Sequence, residues 1–479
     1  MRVGLGLLVT VCYKFPAIYI FSRRLPNISR CDCGLSPSDV FFVYCLKSIN
    51  FGFYETYLAV TRKLLILFTL VLGLSSCAAS RFQARAPKTP PADLSAPVFD
   101  SIGTQYRPLA RFFASQGASL PATGNGFAVY TSGRTMFAAM LRDLENARYS
   151  IDFMTYRFAD DTIATIVRDV LVRKAREGIS VRVILESRSN PYNPSFYKGF
   201  QGVPGLQVIR TQPSRNPFSM IFNLFWRDHR KLAVIDGAIG YLGGMNIQDK
   251  YHTEWRDTHS RVTGRVASSY SALFQRAWET FSGPAVTPVQ TPPAPAGGDA
   301  VMQIVGDGPD SAEPVIRKGL ELALSQAKEY FYIQNPYFCP PESTIQALLD
   351  AAARGVDVKI MFPKGQDVLI MLWVNHSFYE RLLKGGVRIF ERGGDFIHSK
   401  TFVADDYLSC IASANLDYRS FDLNFEGNLY VYDTPVALQC REVFETDMRL
   451  CREVTLEDIH WSIPERYLQS FFRVAEIQL

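Results

Sequence analysis

"LENARYSIDFMTYRFADDTIATIVRDVLVRKAREGISVRVILE" (144–186) decides the fold, because the chain writes it twice. Its counterpart is "LSQAKEYFYIQNPYFCPPESTIQALLDAAARGVDVKIMFP" (324–363). Each copy reads as a helix end, a strand, a loop, an amphipathic helix, a glycine turn (Gly178, Gly355) and a second strand. Strands alternating with helices bury their apolar faces on one another, so the expected class is α/β with helices covering a sheet. Two related units in one chain are expected to pair about a pseudo-twofold axis, as identical subunits do.

The length of 479 residues and 47% hydrophobic content suit two ordinary globular domains. The proline-rich stretch 87–97 reads as a tether, and "PAVTPVQTPPAPAGG" (284–298) separates the copies and is not regular structure. The reading therefore sets a linker over 78–105, a first domain over 106–283, a linker over 284–298 and a second domain over 299–479.

A second pattern repeats in register with the first. "RDHRKLAVIDG" (227–237) aims His229 and Lys231 to the same side of a strand, and Asp236-Gly237 reads as a hairpin turn. His398, Lys400 and Asp405 reproduce this HxKxxxxD pattern in the other half. Ten residues past each aspartate stands an asparagine, Asn246 in "GGMN" and Asn415 in "ASAN". Each histidine is followed 28 residues later by a carboxylate, Asp257 (257 − 229) and Glu426 (426 − 398). A single HxK is commonly a satisfied core histidine. Two full sets in register are hard to obtain from packing alone.

Symmetric pairing would bring both histidines, lysines and asparagines to one cationic pocket. Lysine ammonium and asparagine amide groups suit non-bridging phosphoryl oxygens and the charge of an in-line displacement, which makes Lys231, Lys400, Asn246 and Asn415 candidate phosphate ligands. One imidazole can attack phosphorus while the other protonates the leaving alkoxide. Asp257 and Glu426 are the candidates to hold the second ring nitrogens, with Asp257 read as the carboxylate that matters most to His229. No acidic cluster for a divalent metal accompanies the motifs, so the expectation is a metal-independent reaction without a cofactor. Asp236 and Asp405 count with the catalytic set as motif members, although their turn positions suit capping of strand ends.

These residues resemble the phospholipase D superfamily. The blocks "HRKLAVIDGAIGYLGGMNIQDKYHTEWRDTHSRVTG" and "HSKTFVADDYLSCIASANLDYRSFDLNFEGNLYVYD" are similar to those of bacterial cardiolipin synthases, a likeness that runs from about residue 130 to the C-terminus. It implies two tandem phospholipase D-like α/β/α sandwich domains sharing one active site at their interface. It also implies ping-pong transfer of a phosphatidyl group between two phosphatidylglycerol molecules, through a phosphohistidine, to give cardiolipin and glycerol. By the same likeness His229 is the nucleophile and His398 the general acid and then base, with the reverse order open. The superfamily motif is shared by lipases and nucleases, so hydrolysis of a phospholipid, and less readily of nucleic acid, are competing readings. A non-catalytic phosphate-binding protein is the third, against which both intact histidines speak.

The remaining signals concern compartment. A net charge of +5 favours anionic partners, lipid headgroups and nucleic acid alike; the basic residues form no arginine-rich arm, which speaks against nucleic acid, and the resemblance implies a membrane surface. "TRKLLILFTLVLGLSSCAAS" (61–80) has a basic start and an apolar run too short for a comfortable membrane span. "LSSC" resembles a bacterial lipobox, which makes Cys77 a candidate lipidation site and 61–77 a signal segment, and on that reading 1–60 is expected not to be translated. The alternative is an N-terminal membrane anchor. Both put the protein in the bacterial cell envelope. "NPFSMIFNLFWRD" (216–228) and "VLIMLWVNHSFYERLLKGG" (368–386) precede the two histidines and read either as a membrane-seated lip or as core helices. The nine cysteines show no zinc pattern, and Cys339, Cys410, Cys440 and Cys451 read as buried small apolar residues.

Overall fold

The computed structural model describes residues 92–462 apart from 191–192, 212–225, 282, 284–288 and 290, together with Glu465 and Gln469. Cys77, the segment 61–77 and most of the apolar stretch 216–228 lie outside the described residues.

The first half contributes β1 (Ala122–Ser132), β2 (Ser150–Thr155), β3 (Ser180–Leu185), β4 (Leu206–Arg210), β5 (Leu232–Ile235), β6 (Ile239–Gly243) and β7 (Arg256–Thr263). The second contributes β8 (Ala300–Asp307), β9 (Tyr330–Gln334), β10 (Phe338–Cys339), β11 (Asp357–Pro363), β12 (Arg388–Arg392), β13 (Thr401–Ala404), β14 (Leu408–Ala412), β15 (Leu416–Asp417), β16 (Glu426–Tyr432) and β17 (Cys451–Val454). Fifteen of these form one continuous sheet, and β10 pairs separately with β15.

The strand order repeats outward in both directions from the antiparallel pair β1–β8, which meets at Ala122–Met302 and Asn125–Ala300. Outward from β1 run β7, β6, β5, β2, β3 and β4; outward from β8 run β16, β14, β13, β9, β11 and β12, with β17 added at the end. Within each half the repeat strands are parallel (β2–β3–β4 and β9–β11–β12) and the motif strands join them antiparallel. The repeat noted in the sequence is therefore this strand order used twice.

Helices cover both faces. On one face lies the helix Thr162–Arg176, whose Asp161 side chain accepts from Ala164 N and whose Ile163, Val167, Leu171 and Ala175 are buried at helical spacing. On the other face the helix Val266–Thr280 lays Val266, Tyr270, Phe274 and Ala277 against Leu232, Val234 and Leu242. The second half repeats the plan, with helices Val315–Gln326 and Glu342–Ala353 on one side of β9 and Thr434–Met448 on the other. Gly178 and Gly355 both adopt φ near +90° (92° and 91°), a conformation costly for any residue with a Cβ. The expected glycine turns are the same turn in both halves.

One boundary differs from the sequence expectation. The sequence places residues 97–115 partly in a linker (78–105) and partly in the first domain (106–283), but they pack in the second half. Phe99, Ile102, Tyr106, Leu109, Ala110 and Phe113 are buried in one cluster with Val305, Leu320 and Tyr430. Tyr106 donates to Asp405 and Gly103 N to the Tyr407 hydroxyl. The stretch 97–115 is thus an N-terminal strap on the second half, invisible to a repeat search because it has no counterpart.

The 368–386 segment is chiefly a core helix: Leu369–Lys384 buries Val374, Phe378, Tyr379 and Leu382, leaving only Val368 and Leu369 exposed at its start. No helix among the described residues is long and apolar enough to cross a membrane. The four described cysteines are free, Cys339 and Cys410 buried and Cys440 and Cys451 half-buried.

Candidate active site

The histidines stand just before β5 and β13, and the carboxylates at the starts of β7 and β16. What joins them is a pair of short inter-half bridges. Asp228 pairs in parallel with Phe425, and Arg256 with Ile397. Phe425 N donates to Arg227 O and His229 N to Phe425 O (2.8 and 2.9 Å). On the other side Arg256 N donates to Phe396 O and His398 N to Arg256 O (3.0 and 2.7 Å). Each bridge sets the residue before a carboxylate of one half beside the residue before a histidine of the other.

The consequence is a crossed arrangement. His229 Nδ1 lies 3.0 and 3.2 Å from the two oxygens of Glu426, and His398 Nδ1 lies 2.7 Å from Asp257 Oδ2. The expectation that Asp257 serves His229 is corrected: each carboxylate holds the histidine of the opposite half. Equal spacing of 28 residues within a half suggested pairing inside that half, and only the bridges reverse it.

The carboxylates are themselves positioned. Asp257 Oδ1 accepts from Thr258 N at 2.7 Å, and the Ser413 hydroxyl donates to Glu426 Oε2 at 2.5 Å. Gly244 and Ser413 occupy equivalent places in "GGMN" and "ASAN", each 13 residues before its carboxylate (257 − 244, 426 − 413). A Cβ on Gly244 would stand 2.2 Å from an Asp257 oxygen, so only glycine leaves room for that carboxylate. This shared offset was the sequence signal for both residues.

The lysines lie beside the rings. Lys231 Nζ donates to His229 O at 2.5 Å, and Lys400 Nζ to His398 O at 2.6 Å while also lying 3.0 and 3.1 Å from the two nitrogens of the His398 ring. Burial lowers the Lys231 ammonium to about 7 and that of Lys400 to about 8. Burial also depresses both imidazoles; Lys400 and Lys231 push His398 further down, whereas Glu426 partly restores His229. The carboxylates differ too. Burial raises Asp257 to about 6, while at Glu426 the His229 ring, Lys231 and Ser413 outweigh burial and hold the carboxyl below its ordinary range.

The asparagines are not equivalent. Asn246 spends its amide within the fold, donating to the Tyr251 hydroxyl (2.8 Å) and accepting from Arg157 N (3.1 Å). Asn415 is buried with an Oδ1 that has no partner among the described residues. Aromatic rings that the sequence reading missed wall the site. Tyr156 meets His229 edge-on (centroids 4.7 Å), and Tyr251, Trp255 and Tyr337 surround His398 at 5.5, 5.3 and 5.9 Å. They lie outside the two HxKxxxxD patterns, and no periodicity distinguishes them from core aromatics.

Asp236 and Asp405, counted with the catalytic set by motif, stand at the far ends of β5 and β13, roughly 20 Å of strand from the histidines. Asp236 accepts from the backbone N–H groups of Arg148, Tyr149 and Ser150, and Asp405 from those of Lys328, Glu329 and Tyr330. Both adopt positive φ (54° and 53°) in the turn. They tie each motif hairpin to the start of the repeat strand beside it, and touch no reacting group. His259 is buried behind the site on β7, with neither ring nitrogen partnered among the described residues, and burial lowers it to about 3, so it stays neutral.

Two imidazoles, each backed by a carboxylate from the other half and flanked by a buried lysine, on an α/β sheet whose strand order is used twice, define a phospholipase D-like phosphotransfer enzyme. A family model described as "Cardiolipin synthase, PLD-like domain" matches residues 140–278 and 320–448. The chain is 35% identical over 362 residues to the cardiolipin synthase of Oceanobacillus iheyensis, covering 73% of this chain and 74% of that one. It is 35% identical over 344 residues to the major cardiolipin synthase ClsA of Bacillus subtilis, covering 70% and 71%. Among solved structures, phosphatidylserine synthase of Haemophilus influenzae shares the fold, with a TM-score of 0.58 at 14% identity over 74% of this chain and 95% of that one. The chain belongs to the cardiolipin synthase family of phospholipase D-like phosphatidyltransferases.

Proposed function

We propose that the protein makes cardiolipin and glycerol from two phosphatidylglycerol molecules, through a phosphatidyl-histidine. The crossed carboxylates carry this reading, because they give the two imidazoles different partners and thus different tasks. A phosphoryl group on Nε2 of a ring that keeps its Nδ1 proton leaves that ring positive, and an ionised carboxylate stabilises it. Glu426, held below the ordinary carboxyl range, supplies that charge, which favours His229 as the nucleophile.

In the first step His229 Nε2 attacks phosphorus, the bond to the glycerol headgroup breaks, and His398, which takes up a proton when the bound phosphodiester anion offsets the lysines that depress it, gives that proton from Nε2 to the departing alkoxide. In the second step the terminal hydroxyl of another phosphatidylglycerol loses its proton to His398 and attacks phosphorus, releasing His229. Lys231, Lys400 and the Asn415 amide face the non-bridging oxygens. Asn246, whose amide is engaged with Tyr251, is a weaker phosphate ligand and chiefly a support for the His398 wall. The charge compensation comes from lysines, so turnover is expected without a metal or cofactor.

The partner is a membrane surface, and the exposed Val368 and Leu369 at the start of their helix are suited to touch it. A place in the cell envelope, with Cys77 lipidated or 61–77 serving as an anchor, belongs to the same reading.

Purified protein in phosphatidylglycerol mixed micelles with EDTA is expected to yield cardiolipin and glycerol, with His229→Ala and His398→Ala each reducing turnover by at least about a hundredfold. Phosphatidic acid as the only lipid product would replace the synthase with a hydrolase.

A further inference from the structure

An in-line displacement sends the leaving oxygen out opposite the attacking atom, and the incoming oxygen of the second step returns along the same line. With His229 as nucleophile, the departing glycerol and the acceptor lipid therefore share the His398 side. That side is the aromatic one. Tyr251, Trp255 and Tyr337 stand at 5.5, 5.3 and 5.9 Å from His398, centre to centre.

A lysine is laid on these rings. Lys250 belongs to the short helix Asp249–Thr253, which is fixed to the start of the helix Thr162–Arg176. Asp249 accepts from Thr162 N and Ile163 N (3.2 and 2.8 Å), and its own N donates to Asp161 (2.7 Å). The chain then turns back on itself, with Trp255 N donating to Lys250 O at 2.7 Å. The Lys250 ammonium thereby lies 3.6 Å from the centre of the Trp255 ring and 5.6 Å from that of Tyr251. It is no farther from the centre of the His398 ring than 3.6 and 5.3 Å laid end to end. The side chain is half-buried and makes no hydrogen bond or ion pair among the described residues. Asp367 and Glu254 attract it and Arg157 repels it, all from beyond ion-pairing distance. The Asp367 carboxylate accepts instead from the Tyr337 hydroxyl at 2.6 Å. An ammonium held on an aromatic shelf beside a catalytic imidazole, with its three N–H groups unspent, is a ready donor to an anion on that side.

In the phosphatidyl-transfer reading the transferring phosphoryl group is already met by Lys231, Lys400 and Asn415. The acceptor lipid carries a phosphodiester of its own, five covalent bonds from its attacking oxygen, or roughly 6 Å when extended. With that oxygen at hydrogen-bond distance from His398, the second anion comes within reach of Lys250. We propose that Lys250, seated on Trp255, binds the phosphodiester of the acceptor lipid and so selects a phospholipid headgroup over free glycerol or water as the second substrate. This rests on the reading above with His229 as nucleophile, and adds the residue that decides the acceptor.

The test gives the phosphatidyl-enzyme two acceptors at once: labelled glycerol, which has no phosphate, and glycerophosphoglycerol, which has one. The ratio of the two lipid products, read by mass and corrected for acceptor concentration, is the ratio of kcat/KM values and does not depend on how much of a preparation is folded. The wild-type protein is expected to favour glycerophosphoglycerol at least about tenfold, the worth of one charge-assisted hydrogen bond. Lys250→Gln is expected to bring that ratio down at least about fivefold, and Lys250→Arg, which keeps the charge, to hold it within about twofold of wild type. A wild-type ratio near unity overturns the proposal. So does a Lys250→Gln ratio unchanged from wild type, an equal fall in Lys250→Arg, or a Lys250→Gln protein inactive toward both alcohols. A Lys250-dependent preference in a protein that makes no cardiolipin from phosphatidylglycerol would sink the synthase reading and leave the subsite standing.

Discussion

At the scale of single residues, the site is two half-sites whose supports have been exchanged. His229 depends on Glu426 and His398 on Asp257, so either carboxylate removed should cripple the reaction although neither touches phosphorus. Glu426→Gln and Asp257→Asn put an amide against Nδ1 and favour the wrong tautomer; each is expected to lower kcat by about 10²- to 10⁴-fold with little change in melting temperature. An unaltered kcat in either would remove that carboxylate from the mechanism. The pH profile of kcat/KM, which reports the free protein, follows from the lysines and Asp257. Lysines lowered to about 7 and about 8 are cationic below those values and lose their protons as pH rises through them, so phosphate attraction falls above about pH 7 to 8. Asp257, raised to about 6, becomes protonated as pH falls through that value and stops supporting His398. The expected profile is a bell between about 6 and 8, and steady-state rates on micellar substrate across that range check it. A flat profile up to pH 9 would contradict the lowered lysines.

At the scale of elements, the motif hairpins β5–β6 and β13–β14 carry two jobs at opposite ends. The residues leading into them bring His and Lys to the pocket, and their turns are clamped by Asp236 and Asp405. The turn carboxylates each accept three backbone N–H groups, so their loss should weaken the fold rather than the chemistry. Asp236→Ala is expected to cost about 1–3 kcal/mol in denaturant unfolding, through orphaned donors and a non-glycine residue at positive φ, while kcat at low temperature stays near wild type. A hundredfold loss of kcat in a stably folded Asp236→Ala protein would restore it to the catalytic set. The HxKxxxxD spacing is thus the length of one short strand with a site at one end and a clamp at the other.

At the scale of the whole molecule, the two halves are tied through buried charge as well as through the shared sheet. Arg256 reaches from β7 to Ser399 and Thr258 (2.8 and 2.7 Å) and pairs with Asp447 at 2.5 Å, and Asp447 also pairs with Arg392 at 2.9 Å. Arg256→Ala leaves Asp447 with half its compensation and loosens the bridge that presents His398. Calorimetry should show a loss of about 3 kcal/mol, and the purified variant should lose most of its turnover. A variant as stable and active as wild type would show that the bridge is held by backbone pairing alone.

By itself the sequence determined the architecture and the cast of the site. The duplicated strand–helix–strand unit is local, and local periodicity is what a chain displays in order; His229, Lys231, His398, Lys400, Asp257 and Glu426 declare themselves by identical spacing in both halves. The strap 97–115, the aromatic walls and the pairing of carboxylates with histidines were decided only by tertiary structure. Each depends on which segments meet across the seam, and contacts between distant segments leave no periodic trace in one chain. Equal intra-half spacing even pointed the wrong way for Asp257, because the bridges at Asp228–Phe425 and Arg256–Ile397 cross the halves. The chain order fixes which groups exist. The crossed pairing of the halves fixes which group serves which.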